Sequence, residues 1–193
     1  MAEYQFSGMC GELDEMMRHW PEKPQAVARI ITSKYGAPGE YTSSRLIWNN
    51  SSPWKRTVVY RDETQHNFPA SHTDVIEQTI DYHVPIERIG DIVTFNGSIM
   101  IDRTRGEVSV RCDREEANFL AVNLMNDILH GELSLEEARR VFSDNVKALS
   151  EDHISSYTQG LLFKLPSGET ADRDVPTLDI EAIDISNLVN RGI

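Results

Sequence analysis

The chain has little of what marks secreted or membrane proteins. Its 193 residues include only two cysteines, Cys10 and Cys112, which are far apart in sequence. A disulfide framework or a paired-cysteine metal site needs more cysteines at closer spacing. The N-terminus shows no basic start followed by an apolar run, and no apolar run approaches a membrane span. These absences predict a reducing, cytoplasmic location.

Basic residues are also scarce, because 31 acidic residues stand against 19 basic ones and the net charge is −12. Nucleic-acid binding depends on neutralising phosphates with lysine and arginine, and anionic lipid surfaces attract the same side chains. The charge balance therefore predicts that the chain binds neither nucleic acid nor membranes. A glycine-rich phosphate loop and a Gly-x-Ser-x-Gly elbow are missing too, so nucleotide hydrolysis and α/β-hydrolase chemistry have no support.

Three regions differ in composition and patterning. Residues 1–23 form a lead-in, residues 24–149 carry the strongest hydrophobic patterning and predict the core domain, and residues 150–193 form an acidic C-terminal appendage. The segment 161–165 of that appendage is a candidate strand. The lead-in predicts a helix with one apolar face, formed by Leu13, Met16, Met17 and Trp20. Because both ends mix apolar and polar residues, they are candidate surfaces for a protein partner or for self-association.

Hydrophobic periodicity predicts most elements of the core. It indicates a helix over residues 25–34, a hairpin over 45–60 and a second hairpin over 98–112. Residues 75–84 fit either a strand or a helix, and their many β-branched residues favour a strand. Strands outnumber crossovers. The predicted fold is therefore α+β, with an antiparallel or mixed sheet of about five strands and helices packed on one face.

Start signals predict where three helices of the core begin. Pro85 suits the first position of a short helix, which is predicted to bury four residues, Ile86, Ile89, Ile92 and Val93. Asp113 is predicted to cap a central helix that runs to about Leu129. Ser134 and Glu137 have the spacing of a capping box, so another helix is predicted to follow Ser134.

Several short motifs together resemble those of a group of uncharacterised bacterial proteins. The pattern is Tyr-Gly-x-Pro, then Trp, then His-x-Phe-Pro-x-x-His-x-Asp, and it stands here as Tyr35 to Pro38, Trp48, and His66 to Asp74. The resemblance covers roughly residues 30–145 and leaves both termini outside. It implies a bacterial cytoplasmic origin and brings no activity with it.

The segment from His66 to Glu77 is the first candidate site. It holds four potential metal ligands, His66, His72, Asp74 and Glu77, in a chain with six histidines. Divalent transition metals accept imidazole and carboxylate, and catalytic sites commonly use three protein ligands plus water. One hypothesis is a loop in which His66, His72 and Asp74 bind the metal and Glu77 acts as general base. The alternative is a surface loop whose histidines make only local hydrogen bonds.

Four arginines between positions 103 and 114 form a second candidate site. Arg103, Arg105, Arg111 and Arg114 are concentrated in an otherwise acidic chain. Guanidinium groups hold carboxylates or phosphates through paired hydrogen bonds, and a helix N-terminus nearby favours anions. The hairpin is therefore a candidate small-anion site. The alternative is a solvated surface of local ion pairs with the interleaved acidic residues.

Two further features each have two interpretations. Cys112 stands just before a predicted helix, where a thiol can be activated as a nucleophile, but strand alternation points it inward as a small buried hydrophobe. Four aromatic residues surround the first hairpin and can stack a base or sugar, or can belong to the core. They are Trp48, Trp54, Tyr60 and Phe68.

No catalytic motif in the chain names a reaction, so the sequence leaves open whether it is an enzyme. The acidic appendage and the missing motifs favour a binding or interaction module. The first alternative is a small metal-dependent enzyme, hydrolase-like, that uses the His66 to Glu77 segment and a divalent metal. The second alternative is a small-anion binder at the arginine hairpin.

Overall fold

Six strands form one open sheet in the computed structural model, which describes residue 11 and residues 13–178. The strands are β1 (Glu40–Thr42), β2 (Arg45–Asn49), β3 (Arg56–His66), β4 (His72–Asp81), β5 (Ile99–Asp102) and β6 (Glu107–Cys112). Their order across the sheet is β1-β2-β3-β4-β6-β5, and every neighbouring pair is antiparallel. The predicted α+β class is confirmed. The sheet has one strand more than expected, and it is antiparallel rather than mixed.

The helices pack on one face of this sheet. They are α1 (Glu22–Tyr35), α2 (Ile89–Phe95), α3 (Glu115–His130) and α4 (Leu135–Ser150), with a further helical segment at residues 13–17. Leu46 pairs with Val59, and Val59 pairs with Ile76, so these side chains share a face. Within the described residues, no helix has both the length and the apolar character needed to cross a membrane.

Two hydrophobic clusters fill the space between the helices and the sheet. Over β4, β5 and β6 the central helix α3 buries Leu120, Leu124 and Ile128. Over β2 and β3, α1 buries Val27 and Ile31, and the lead-in adds three residues, Leu13, Met17 and Trp20. The apolar residues at helical spacing thus became core contacts, as their periodicity predicted.

The β3–β4 hairpin carries the first candidate site. The prediction of a strand over residues 75–84 is confirmed for its larger part, because β4 ends at Asp81. The hypothesis that the whole stretch from His66 is a loop is wrong. His66 ends β3, His72 begins β4, and the two residues pair directly across the hairpin. Only residues 67–71 form the turn.

Three local predictions are wrong for identifiable reasons. Ile86 and Val93 are 57% and 47% exposed, because the chain after Pro85 first makes a single 3-10 turn and α2 then turns only Ile92 and Phe95 inward. Asp113 does not cap α3, because Arg114 holds its carboxylate. Residues 161–165 form no strand. The Ser134 capping box, in contrast, is confirmed.

The described part of the appendage packs on the core. Asn123 of α3 donates hydrogen bonds to the carbonyls of Tyr157 and Gly160, and its own oxygen accepts one from the Leu162 N–H. Further on, the backbone at Thr170 passes directly over Gly106, where an added Cβ would lie 2.3 Å from the Thr170 carbonyl carbon. Residues 1–10 and 179–193, part of the predicted partner surfaces, lie outside the described residues.

Candidate metal centre

The tip of the β3–β4 hairpin is held in place by an aromatic cluster. Phe68, in the turn, packs against Phe95 of α2 and Phe142 of α4, with ring centroids 6.4 and 5.1 Å away. The Arg139 guanidinium lies over the Phe68 ring at 3.8 Å. Because two helices hold the turn from one side, the ends of β3 and β4 have a fixed position relative to the core.

Three of the four predicted ligands converge at this tip. His66 and His72 face each other across the hairpin with ring centroids 5.0 Å apart, and Asp74 lies two residues further along β4. One nitrogen of each imidazole and one oxygen of Asp74 all lie within 4.8 Å of one another. Asp74 is only 3% exposed. The alternation of side chains along a strand accounts for His72 and Asp74 pointing the same way.

Hydrogen bonds to neighbouring oxygens orient both imidazoles. His72 Nδ1 lies 2.8 Å from the Ala70 carbonyl, which can only accept, so Nδ1 carries the proton. The Ser98 hydroxyl donates to Asp74 Oδ2 and therefore accepts from His66 Nδ1 at 3.2 Å. In the neutral ring each Nε2 then carries a lone pair, and that of His72 lies within hydrogen-bonding distance of the Cys112 thiol. Donation of the other ring N–H to an oxygen is the usual arrangement behind a metal-bound histidine.

One oxygen of Asp74 has no hydrogen-bond donor. Oδ1 lies 3.1 Å from His72 Nε2, yet it is buried and accepts no hydrogen bond, since the ring does not direct an N–H at it. A buried carboxylate oxygen without a partner is unfavourable by about 1–3 kcal/mol or more. Two ligands of one zinc ion, at bond lengths near 2 Å, stand about 3–3.4 Å apart. The spacing of these two atoms therefore suits a shared cation.

The surroundings favour a neutral His66. Burial lowers the pKa of His66, and the nearby His72 and Arg139 act in the same direction, while Asp74 opposes them. A neutral imidazole offers the lone pair that a metal needs.

Cys112 lies beside the triad as a thiol. Its sulfur is 3.6 Å from His72 Nε2. Burial, together with the charge of Asp113, raises the pKa of Cys112 to about 12, so a thiolate does not form at neutral pH. The burial of Cys112 confirms the alternative of a small buried side chain, and its raised pKa argues against the nucleophile hypothesis.

Glu77 does not join the three ligands. Its carboxylate accepts hydrogen bonds from Arg111 Nε, at 2.7 Å, and from the Tyr60 hydroxyl, at 3.1 Å. In a strand, a residue three positions after Asp74 points to the opposite face. Glu77 is thus part of a polar cluster on that face, and the structure does not place it to serve as the general base.

The four arginines of the second candidate site are dispersed. Each one pairs with a carboxylate: Arg103 with Asp172 and Asp174, Arg105 with Asp102, Arg111 with Glu77, and Arg114 with Asp113. The first two lie at one end of β6 and the last two at the other. The arrangement matches the alternative of local ion pairs, and it offers an anion no point where the four guanidinium groups meet.

The aromatic residues of the first hairpin serve the core and the polar clusters. The Trp54 indole donates to Glu115 at 2.7 Å and stacks on Phe119, with ring centroids 4.7 Å apart. The Trp48 indole donates to the Gly36 carbonyl at 2.8 Å. Since these two indoles are buried, they are not available to stack on a base or sugar.

Sequence reasoning missed two groups of residues. The first supports the histidines and consists of Ser98 and the Ala70 carbonyl. The second surrounds Glu115, a buried residue whose carboxylate is bonded by Lys34, Tyr35, Trp54 and Gln78. These donors come from α1, from the turn before β3 and from β4, so no local spacing reveals them. The only signal in the sequence is an acidic residue at the start of an otherwise apolar helix.

A small cavity borders the triad on its Cys112 side. It encloses about 140 Å³, and both His72 and Cys112 line it. The Ala117, Phe142 and Val146 side chains form an apolar wall, and Asp113 with Arg114 stands at another side. A larger groove of about 780 Å³ also borders Asp113 and Arg114, but none of the three converging ligands lines it.

Two imidazoles and one carboxylate from a single hairpin form a ligand set that suits zinc, iron or manganese. Comparison with protein-family models, with curated proteins and with solved structures gives no match for this chain. The geometry of His66, His72 and Asp74 is therefore the ground on which a function can be argued.

Proposed function

We propose that the protein binds one divalent transition-metal ion through His66, His72 and Asp74 and acts as a small metal-dependent enzyme, hydrolase-like in chemistry. The observation that carries this proposal is the Asp74 carboxylate, buried with one oxygen that no donor satisfies, 3.1 Å from the Nε2 of His72. A cation between these atoms supplies the missing positive charge.

The number of ligands favours catalysis over a purely structural role. Structural zinc sites are commonly closed by four protein ligands, whereas catalytic sites keep a position for water or substrate. Three ligands from one hairpin leave such a position, and the cavity beside His72 and Cys112 provides the space. A bound metal would supply Lewis acidity and lower the pKa of a coordinated water. The chain itself contributes the orientation of both imidazoles through Ala70 and Ser98.

Metal binding is tested on the full chain by elemental analysis and thermal unfolding. After loading with Zn²⁺, Mn²⁺ or anaerobic Fe²⁺, we expect about one metal ion per chain. A concentration of one hundred times Kd should add about 2.7 kcal/mol to the free energy of unfolding. His72→Gln should lose both effects, and His83→Gln, which changes an exposed histidine outside the triad, should keep both. A content below about 0.1 ion per chain with no thermal shift would rule the proposal out.

The binding or interaction module that the sequence favoured stays a prediction. In the described part of the tail, Asp172 and Asp174 form ion pairs with Arg103, so these two acidic residues contact the chain itself. Deleting residues 179–193 tests the module, because a role in association requires that the oligomeric state or the set of bound proteins change. A cytoplasmic location also remains part of the proposal, since a reducing compartment keeps Cys112 as a thiol.

A further inference from the structure

The cavity beside the triad has a distinct shape and composition. It encloses about 140 Å³. The wall formed by Ala117, Phe142, Val146 and Leu149 is apolar and comes from α3 and α4. A cavity of about 150 Å³ lined by apolar side chains is known to accept a benzene molecule. The space therefore fits an apolar group of about six non-hydrogen atoms.

The polar end of the cavity is the metal-binding edge of His72. His72 Nδ1 is engaged with the Ala70 carbonyl, so its Nε2 is the nitrogen that can accept, and the Cys112 thiol lies within hydrogen-bonding distance of that Nε2 at 3.6 Å. Of the three proposed ligands His72 lines the cavity, and Cys112, whose sulfur contacts the His72 Nε2, lines it too. A molecule in the cavity thus has one end beside His72 and the other against the apolar wall.

We infer that this cavity binds a small amphiphilic ligand, with an oxygen-donor head of the carboxylate or hydroxamate type on the metal and an apolar tail of about six non-hydrogen atoms against α3 and α4. The inference rests on the proposed metal site and names the class of compound that the site accepts. The larger groove is a less suitable place, because it contains none of the three metal ligands.

A series of straight-chain hydroxamates of increasing length tests this on the zinc-loaded full chain by calorimetry. Burial of each methylene should tighten binding about fourfold until the tail reaches about six carbons, after which affinity should level off. Val146→Phe fills the cavity and should abolish the dependence on tail length, whereas Val146→Ala enlarges the cavity and should move the plateau to longer tails. Ala26→Phe, an exposed change in the larger groove, should behave like the unaltered chain.

The zinc content of every sample separates the two proposals. If zinc is bound but affinity is the same for all tail lengths, or if Val146→Phe leaves the length dependence intact, the inference about the cavity is overturned and the metal site stands. If no zinc is bound by the unaltered chain, the proposed function itself fails. Unchanged zinc content in the Val146 variants also shows that they fold around an intact hairpin.

Discussion

Two of the buried carboxylates in and around β4, those of Asp74 and Glu115, differ in the hydrogen bonds that they receive. Glu115, the first residue of α3, accepts hydrogen bonds from the Tyr35 hydroxyl at 2.6 Å and from Trp54 and Gln78 at 2.7 Å each, and it pairs with Lys34. Asp74 receives a hydrogen bond at Oδ2 from one hydroxyl and none at Oδ1.

The two carboxylates differ in how fully donors of the chain satisfy their oxygens. Burial acts to raise the pKa of Glu115, but hydrogen bonds from Lys34, Tyr35 and Gln78 outweigh it and lower that pKa overall. The chain thus provides everything that this anion needs. Around Asp74 the chain provides two imidazole nitrogens instead, His72 Nε2 at 3.1 Å from Oδ1 and His66 Nδ1 at 3.6 Å from Oδ2. This contrast supports the proposed metal site at the hairpin tip.

Replacing the structural carboxylate should have the largest effect. In Glu115→Gln the new amide N–H₂ must face groups that are themselves donors, and Lys34 loses its counter-ion. We expect the free energy of unfolding to fall by about 3 kcal/mol, near the lower end for breaking a buried pair, because Lys34 is half exposed. Urea unfolding measures this change. Glu116→Gln, at an exposed neighbour in the same helical turn, should change it by about 0.5 kcal/mol or less.

Acid should remove a part of the same stabilisation. Because the pKa of Glu115 is lower in the folded protein than its ordinary value of 4.5, the carboxylate stabilises the fold above that value. The contribution decreases as the pH falls from there through the folded pKa. The gap in stability between the unaltered chain and Glu115→Gln should therefore narrow between neutral pH and about pH 3 in urea unfolding. A constant gap would show that the charge of Glu115 contributes nothing.

Removing a support of the metal ligands should have a smaller effect, which is measured as a loss of metal affinity. In Ser98→Ala both His66 and Asp74 lose a hydrogen bond, and loss of such outer contacts commonly weakens metal binding by at least tenfold. We expect about a tenfold weaker affinity for Zn²⁺ by competition with a chelator. Ser71→Ala is the matched control, since the Ser71 hydroxyl lies in the β3–β4 turn and accepts a hydrogen bond from Gln65 rather than supporting a ligand. Equal affinities in both variants would contradict the role of Ser98.

The sequence predicted the parts of the fold that depend on local patterns. Alternation identified β4, the spacing of Ser134 and Glu137 identified a helix start, and the same alternation brings His72 and Asp74 to one face. For Glu77 the sequence leaves two outcomes, because an extended chain puts it on the face opposite His72 and Asp74, whereas a helix that begins near Thr73 does not. Extending the strand back to His72 places Glu77 on the other face.

Local sequence patterns do not predict interactions that compete with a cap or that join residues far apart in the sequence. Asp113 has the spacing of a helix cap, but its carboxylate forms an ion pair with the adjacent Arg114. Capping rules consider only the hydrogen bond to the helix N–H groups and not such an ion pair. The donors around Glu115 lie between 37 and 81 positions away in sequence. Only the tertiary fold brings them together, so a buried and fully bonded glutamate could not be distinguished from an ordinary acidic residue of a first helical turn.

Asp74→Asn should have the smallest effect on the stability of the metal-free protein. In Asp74→Asn the amide oxygen can still accept from Ser98, while the amide nitrogen replaces the oxygen that faces the lone pair of His72 at 3.1 Å and can donate to it. The stability with chelator present should therefore stay within about 0.5 kcal/mol of the unaltered chain or rise, whereas added Zn²⁺ should no longer stabilise the variant.

Urea unfolding with chelator and with Zn²⁺ checks both halves of this prediction. The same change from carboxylate to amide then lowers the free energy of unfolding at Glu115 and leaves it almost unchanged at Asp74. Burial does not explain this difference, because both residues are less than a tenth exposed. A loss near 3 kcal/mol for Asp74→Asn in chelator would place Asp74 with Glu115 among the structural carboxylates. Near-neutral stability together with lost zinc stabilisation is the result expected for a carboxylate that serves as a metal ligand.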